Sequence, residues 1–149
     1  NKVLEPAMTV IMNVMDVIHP KIDYVKIDRW DTWSMDHTLA LIIVPMLKQL
    51  QKDKHGYPIV DTKDVPKSQF KTDEERWDWV LNEMIWAFEQ KNDDDAENQF
   101  FDYSESNDKM PWDKDYVGPK HDAEGHKAWQ KRKENGFRLF GKYYEALWD

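Results

Sequence analysis

Residues 24–50 read YVKIDRWDTWSMDHTLALIIVPMLKQL, and a change of pattern inside them sets the expected fold. From 24 to 30 apolar and charged residues alternate, which is the period of a half-buried strand. The alternation stops at Asp31-Thr32, and the longest apolar run of the chain, 39–47, follows. Leu39, Leu41, Ile42, Ile43, Val44, Met46 and Leu47 leave almost no polar face on a helix of 3.6 residues per turn, the signature of an element buried on most sides. This segment therefore reads as the central helix. Asp31 or Thr32 is expected to cap it, Asp36 suits the positive end of its dipole, and Pro45 is expected to kink it near Leu41.

Upstream, residues 4–18 place Leu4, Met8, Ile11, Met12, Met15 and Ile18 on one helical stripe, broadened by Val10, Val14 and Val17. The 22–30 strand needs a partner for its backbone, from 57–60, from 100–103 or from a second subunit. Downstream, Thr72 and Glu75 form a capping box that opens a helix to about Gln90. Glu83 falls between Trp79, Val80 and Trp86 on that helix, so its carboxylate should be paired. Residues 91–121 carry no firm element and read as a long irregular segment whose aromatics fold back onto the body. Asp122 starts a last helix to about Leu147, with Gly136 and Gly141 inside it. Each glycine costs about 1 kcal/mol relative to alanine, so either close approach of another element or a break into two helices at Asn135-Gly136 is expected, the continuous helix being favoured.

The expected fold class is mainly α: four principal helices in a single bundle-like domain over 1–149, with one short strand and the 91–121 loop. At 149 residues the chain is long enough for a real core. It has no cysteine, which removes thiolate chemistry and disulfides and fits a reducing compartment. A net charge of −8 argues against a nucleic-acid backbone as partner and leaves basic proteins open. The apolar run is half the length a membrane span needs, so no membrane association is expected. Eight tryptophans in so short a chain fill a core, line a pocket, or both.

Two constellations carry candidate chemistry. Asp31, Asp36 and His37, with Glu83 from the following helix, offer carboxylates and an imidazole to a metal ion or to acid–base work. The competing reading gives Asp36 to the helix terminus, Glu83 to Arg29 or Arg76, and His37 to the core. Trp30, Trp33 and Trp86 beside Arg138 and Lys142 suit a nucleotide, because indoles stack on bases and cations hold phosphate. No glycine-rich phosphate loop accompanies them. A third reading is binding of a protein partner, including self-association through the 22–30 strand or the first helix. No cofactor is required by any motif.

The blocks KIDRWDTWSMDHTLALIIVPMLKQL, KHGYPIVDTKDVP, RWDWVLNEMIWAFEQ, DAEGHKAW and NGFRLFGKYYEALWD resemble a family of small uncharacterised proteins of tailed bacteriophages. The resemblance spans about residues 24–149. It implies a viral origin, residence in the bacterial host cytoplasm or the virion, and an accessory role, non-enzymatic on the leading reading. It transfers no functional residue.

Overall fold

The structure is a computed structural model describing residues 8–11, 14, 25–66 and 70–148. Backbone contacts divide the chain between Trp33 and Ser34, and the two parts are taken in turn. In the first, residues 8–11 and 14 are helical, and Met8, Val10, Ile11 and Val14 are each more than half exposed. The remainder of the expected 4–18 helix, and residues 22–24, lie outside the described residues.

Residues 25–28 form no strand and 29–34 form turns, which corrects the strand expected over 22–30. Asp28 N–H donates to Asp31 Oδ2 at 2.6 Å, Trp30 N–H to Asp28 Oδ1 at 3.0 Å, and Thr32 Oγ1 to the Arg29 carbonyl at 2.8 Å. Short oxygen-bearing side chains offer the backbone local partners that compete with a sheet ladder. Asp31 and Thr32 are spent in this way. The N-cap of the following helix is instead Ser34, whose side chain makes no capping bond.

The second part holds three long helices: α1 (Met35–Asp53), α2 (Asp73–Asn92) and α3 (Ala123–Lys142). Single 3-10 turns follow at Asn98–Phe100 and Tyr144–Ala146. The expected irregular segment also contains a two-residue antiparallel ribbon, β1 (Phe101–Asp102) with β2 (Lys120–His121), pairing Phe101 with His121. The chain is mainly helical, as its periodicity predicts.

Both α1 and α3 pack on α2, which makes α2 the central helix in place of α1. Trp77, Val80, Leu81, Met84, Ile85, Ala87 and Phe88 of α2 are buried, whereas α1 buries only Ala40, Val44 and Leu47. Val60 from the connecting loop and Leu139 and Tyr143 from the far end of the chain complete this core. An apolar run shows that a helix has faces to cover, not how many are covered. The aromatic helix won because Trp77 and Phe88 give it more area to bury, and its own polar residues flank that face.

The other two predicted helix starts, Thr72 and Asp122, are present. Thr72 and Glu75 exchange the two bonds of a capping box, and Asp122 accepts from Gly125 N–H at 3.0 Å. α3 runs without a break through Gly136 and passes into the 3-10 turn at Tyr144. At Gly136 the two helices nearly touch: a Cβ there would lie 2.4 Å from Ala87 Cβ and 2.6 Å from the Glu83 carbonyl oxygen. Gly141 has nothing within 4 Å of the same position.

The loop after α1 is fastened to the end of α3 by a buried carboxylate. Asp64 accepts from Tyr143 Oη at 2.8 Å and Arg138 Nη2 at 2.8 Å, and also from Lys142. Asp61 N–H donates to the same Tyr143 oxygen at 3.0 Å. Burial pushes the Asp64 carboxyl up, but the hydrogen bonds from Lys142, Tyr143 and Arg138 outweigh it and hold it below the usual carboxylate range.

Two tests follow from this packing. Gly136→Ala, despite its better helix propensity, should lose about 2 kcal/mol in urea unfolding because the helices must part, while Gly141→Ala should gain about 0.5–1 kcal/mol. Asp64→Asn should cost about 2 kcal/mol at pH 7; this is below the 3–5 kcal/mol of a fully buried pair because Arg138 and Lys142 are partly solvated. A depressed folded-state pKa stabilises above the unfolded value of about 3.9 and loses that contribution as pH falls. The difference between Asp64→Asn and the parent should therefore shrink in unfolding curves taken from pH 5 downward.

Candidate functional site

Glu83, expected to be paired, is buried and holds Arg132 in a two-point bond, Nε to Oε2 at 2.9 Å and Nη2 to Oε1 at 2.7 Å. The Glu83 hydrogen bond raises the Arg132 pKa against its desolvation. The partner is neither Arg29 nor Arg76; Arg76 bonds Asp73 and the Phe70 carbonyl instead. Asp36 reaches Lys91 at 2.6 Å, whose hydrogen bond lowers its pKa, and His37 Nδ1 is 3.9 Å from Asp94. Asp31 belongs to the turn in the first part of the chain. Among the described residues no three His, Asp or Glu side chains are placed to share a metal ion, so the expected set Asp31, Asp36, His37 and Glu83 is not assembled. Its acidic members within α1 and α2 have cations of their own.

Of the expected nucleotide set, Trp30 and Trp33 belong to the first part of the chain and Trp86, Arg138 and Lys142 to the second. Trp30 and Trp33 lie 6.2 Å apart in the first part of the chain, with the Arg29 guanidinium 4.8 Å above Trp30. Trp86 has its face covered by Arg132 at 3.9 Å. Arg138 is paired with Asp64, and Lys142 with Asp64 and Asp61. A phosphate at that point would have to displace a carboxylate already bonded three ways.

What α1 leaves uncovered is more informative. Leu39, Ile43 and Met46 of α1 face Phe140, Tyr144 and Trp148 across a cavity of about 760 Å³, and among the described residues no charged side chain lines it. The stripe continues along α1 through Met35 and Ile42, with Met46 62% and Trp148 69% exposed. Residues 35, 39, 42 and 46 follow the spacing by which one helix face meets another. The sequence carried this signal in the missing polar face of α1. Burial was expected to absorb it, and the structure leaves half of it open.

A second cluster was missed altogether. His121 Nε2 and His126 Nδ1 are 3.0 Å apart. His121 stacks on Phe101 at 4.6 Å and 9°, and His126 on Phe100 at 5.0 Å and 7°. Trp129, buried beside His126, donates its Nε1–H to Gln90 Oε1 at 2.7 Å. Phe100 and Phe101 thus fold back onto the body as expected, whereas Trp112 remains 80% exposed. The available signal was the placing of the two histidines on either side of the cap Asp122. It was weak, because only the ribbon pairing turns His121 toward the helix.

No protein family, curated protein or solved structure matches the chain in comparison with known proteins.

Proposed function

We propose that this chain is a phage-encoded accessory protein that acts by binding a macromolecular partner rather than by catalysis. The observation carrying this reading is the uncharged groove between α1 and the end of α3, which exposes large apolar side chains in one continuous patch. Such patches cost solubility and typically mark interaction sites. The resemblance to tailed-phage proteins supplies the setting, a virion component or a host factor.

The shape of the groove favours a helix as occupant. From Leu39 to Leu50 the α1 wall extends about 17 Å, roughly three helical turns, and the space beside two helix walls suits one more helix of a bundle. An amphipathic helix with apolar anchors at i, i+4 and i+7 fills it. The net charge of −8 favours basic residues flanking those anchors, since they steer the approach to an acidic chain.

The test is a photo-crosslinking residue at Met46, which is exposed and leaves the core intact. In infected cells one defined product with a phage or host protein is expected, and Leu39→Glu should abolish it while shifting the melting temperature by little. Recovery of uncrosslinked monomer alone from both cells and virions would overturn the reading. A product made only of two copies of this chain would replace it with self-association.

A further inference from the structure

We propose that His121 and His126 form a two-imidazole chelate for a borderline divalent cation of the Zn²⁺, Ni²⁺ and Cu²⁺ class. Their facing nitrogens, His121 Nε2 and His126 Nδ1, stand 3.0 Å apart. Two nitrogens each about 2.0–2.1 Å from one ion at a tetrahedral angle are about 3.3–3.4 Å apart. The pair therefore needs to open by only a few tenths of an ångström, with the rings turning to aim at a common point. His121 is exposed, and its stack on Phe101 is nearly parallel, so its ring can turn within its own plane and keep the stack.

The protonation pattern fits. On its far side His126 presents Nε2 to Glu97 Oε2 at 3.9 Å. That carboxylate favours the proton on Nε2 and leaves the Nδ1 lone pair directed at His121. A carboxylate behind the ligating imidazole is the usual outer support of a histidine–metal bond. Glu97 Oε1 also lies 4.0 Å from Lys133, whose ammonium sits 3.8 Å over the Trp129 ring. Metal then takes the place of the hydrogen bond between the two nitrogens. His121 gives up its Nε2 proton and, as a neutral imidazole, carries one on Nδ1 instead, so the change of tautomer leaves the proton count of the pair unchanged.

Preorganisation separates this pair from two chance neighbours. Each imidazole is laid flat on a phenyl ring of the same 100–101 dipeptide, and the β1–β2 pairing fixes His121 opposite Phe101. The adjoining cavity of about 500 Å³, lined by Asp102, His121, Asp122 and Glu124, leaves room for waters to complete the coordination. Two imidazoles without a thiolate select against Mg²⁺ and Ca²⁺, and Cu²⁺ should bind more tightly than Zn²⁺.

The experiment is calorimetric titration of the chelator-treated full chain with ZnCl₂ and CuCl₂ near neutral pH. One ion per chain is expected. His121→Ala and His126→Ala should each weaken Zn²⁺ at least tenfold, and Glu97→Gln by roughly tenfold. The Cu²⁺ complex should show hyperfine coupling to two imidazole nitrogens, reduced to one in His121→Ala. His121 is exposed and outside the core, so that variant reports binding rather than folding, with circular dichroism as the check. Equal affinity in His121→Ala and the parent, or no heat with either metal at millimolar concentration, would overturn the proposal.

Discussion

The near-contact of α3 with α2 at Gly136 is the constraint on which the rest of the fold depends. With no side chain at Gly136, the Ala87 methyl and the Glu83 carbonyl of α2 sit against the α3 backbone. That closeness brings Arg132, one turn earlier, within a two-point bond of Glu83 and over the face of Trp86. One and two turns beyond, Leu139 and Tyr143 enter the core beside Trp77. The loop carrying Asp61 and Asp64 is then held by Tyr143, Arg138 and Lys142. Spacing along one helix thus converts a single missing methyl group into the placement of four ionic or hydrogen-bonding side chains.

The same arrangement explains where the apolar surplus lies. α3 and α1 each pack on α2, and the apolar side chains of α1 turned away from α2 are exposed among the described residues. Leu39, Ile43 and Met46 look across an open groove toward Phe140 and Trp148. At about 25 cal/mol per Å² of apolar area, leaving such a face in water forgoes several kcal/mol of stability. The charges are distributed in the opposite sense: Asp36 on Lys91, Glu83 on Arg132 and Asp64 on three partners all serve internal contacts.

The segment 91–121 illustrates how chemistry enters without a long element. Its two-residue ribbon is too short to add much stability, yet it sets the orientation of Phe101 and His121. With Phe100 and the first turn of α3 it assembles four rings, two of them imidazoles, beside buried Trp129. Local hydrogen bonds, such as Asn107 with Val117 and Lys109 with Asp115, organise the tip while Trp112 stays exposed.

The sequence by itself determined the parts whose causes are local. The capping box at Thr72, the cap at Asp122, the helical periods of α1, α2 and α3 and the need for a partner to Glu83 all depend on residues within a few positions of each other. It misread 25–30 because alternation is a local signal for a strand, while the Asp28, Asp31 and Thr32 side chains supply a competing local signal for turns. Only the tertiary structure decided which helix is central, which arginine meets Glu83, why Gly136 is a glycine, and that His121 faces His126. Each of these turns on the distance between segments far apart in the chain. Periodicity says that a face is apolar, and only packing says what covers it.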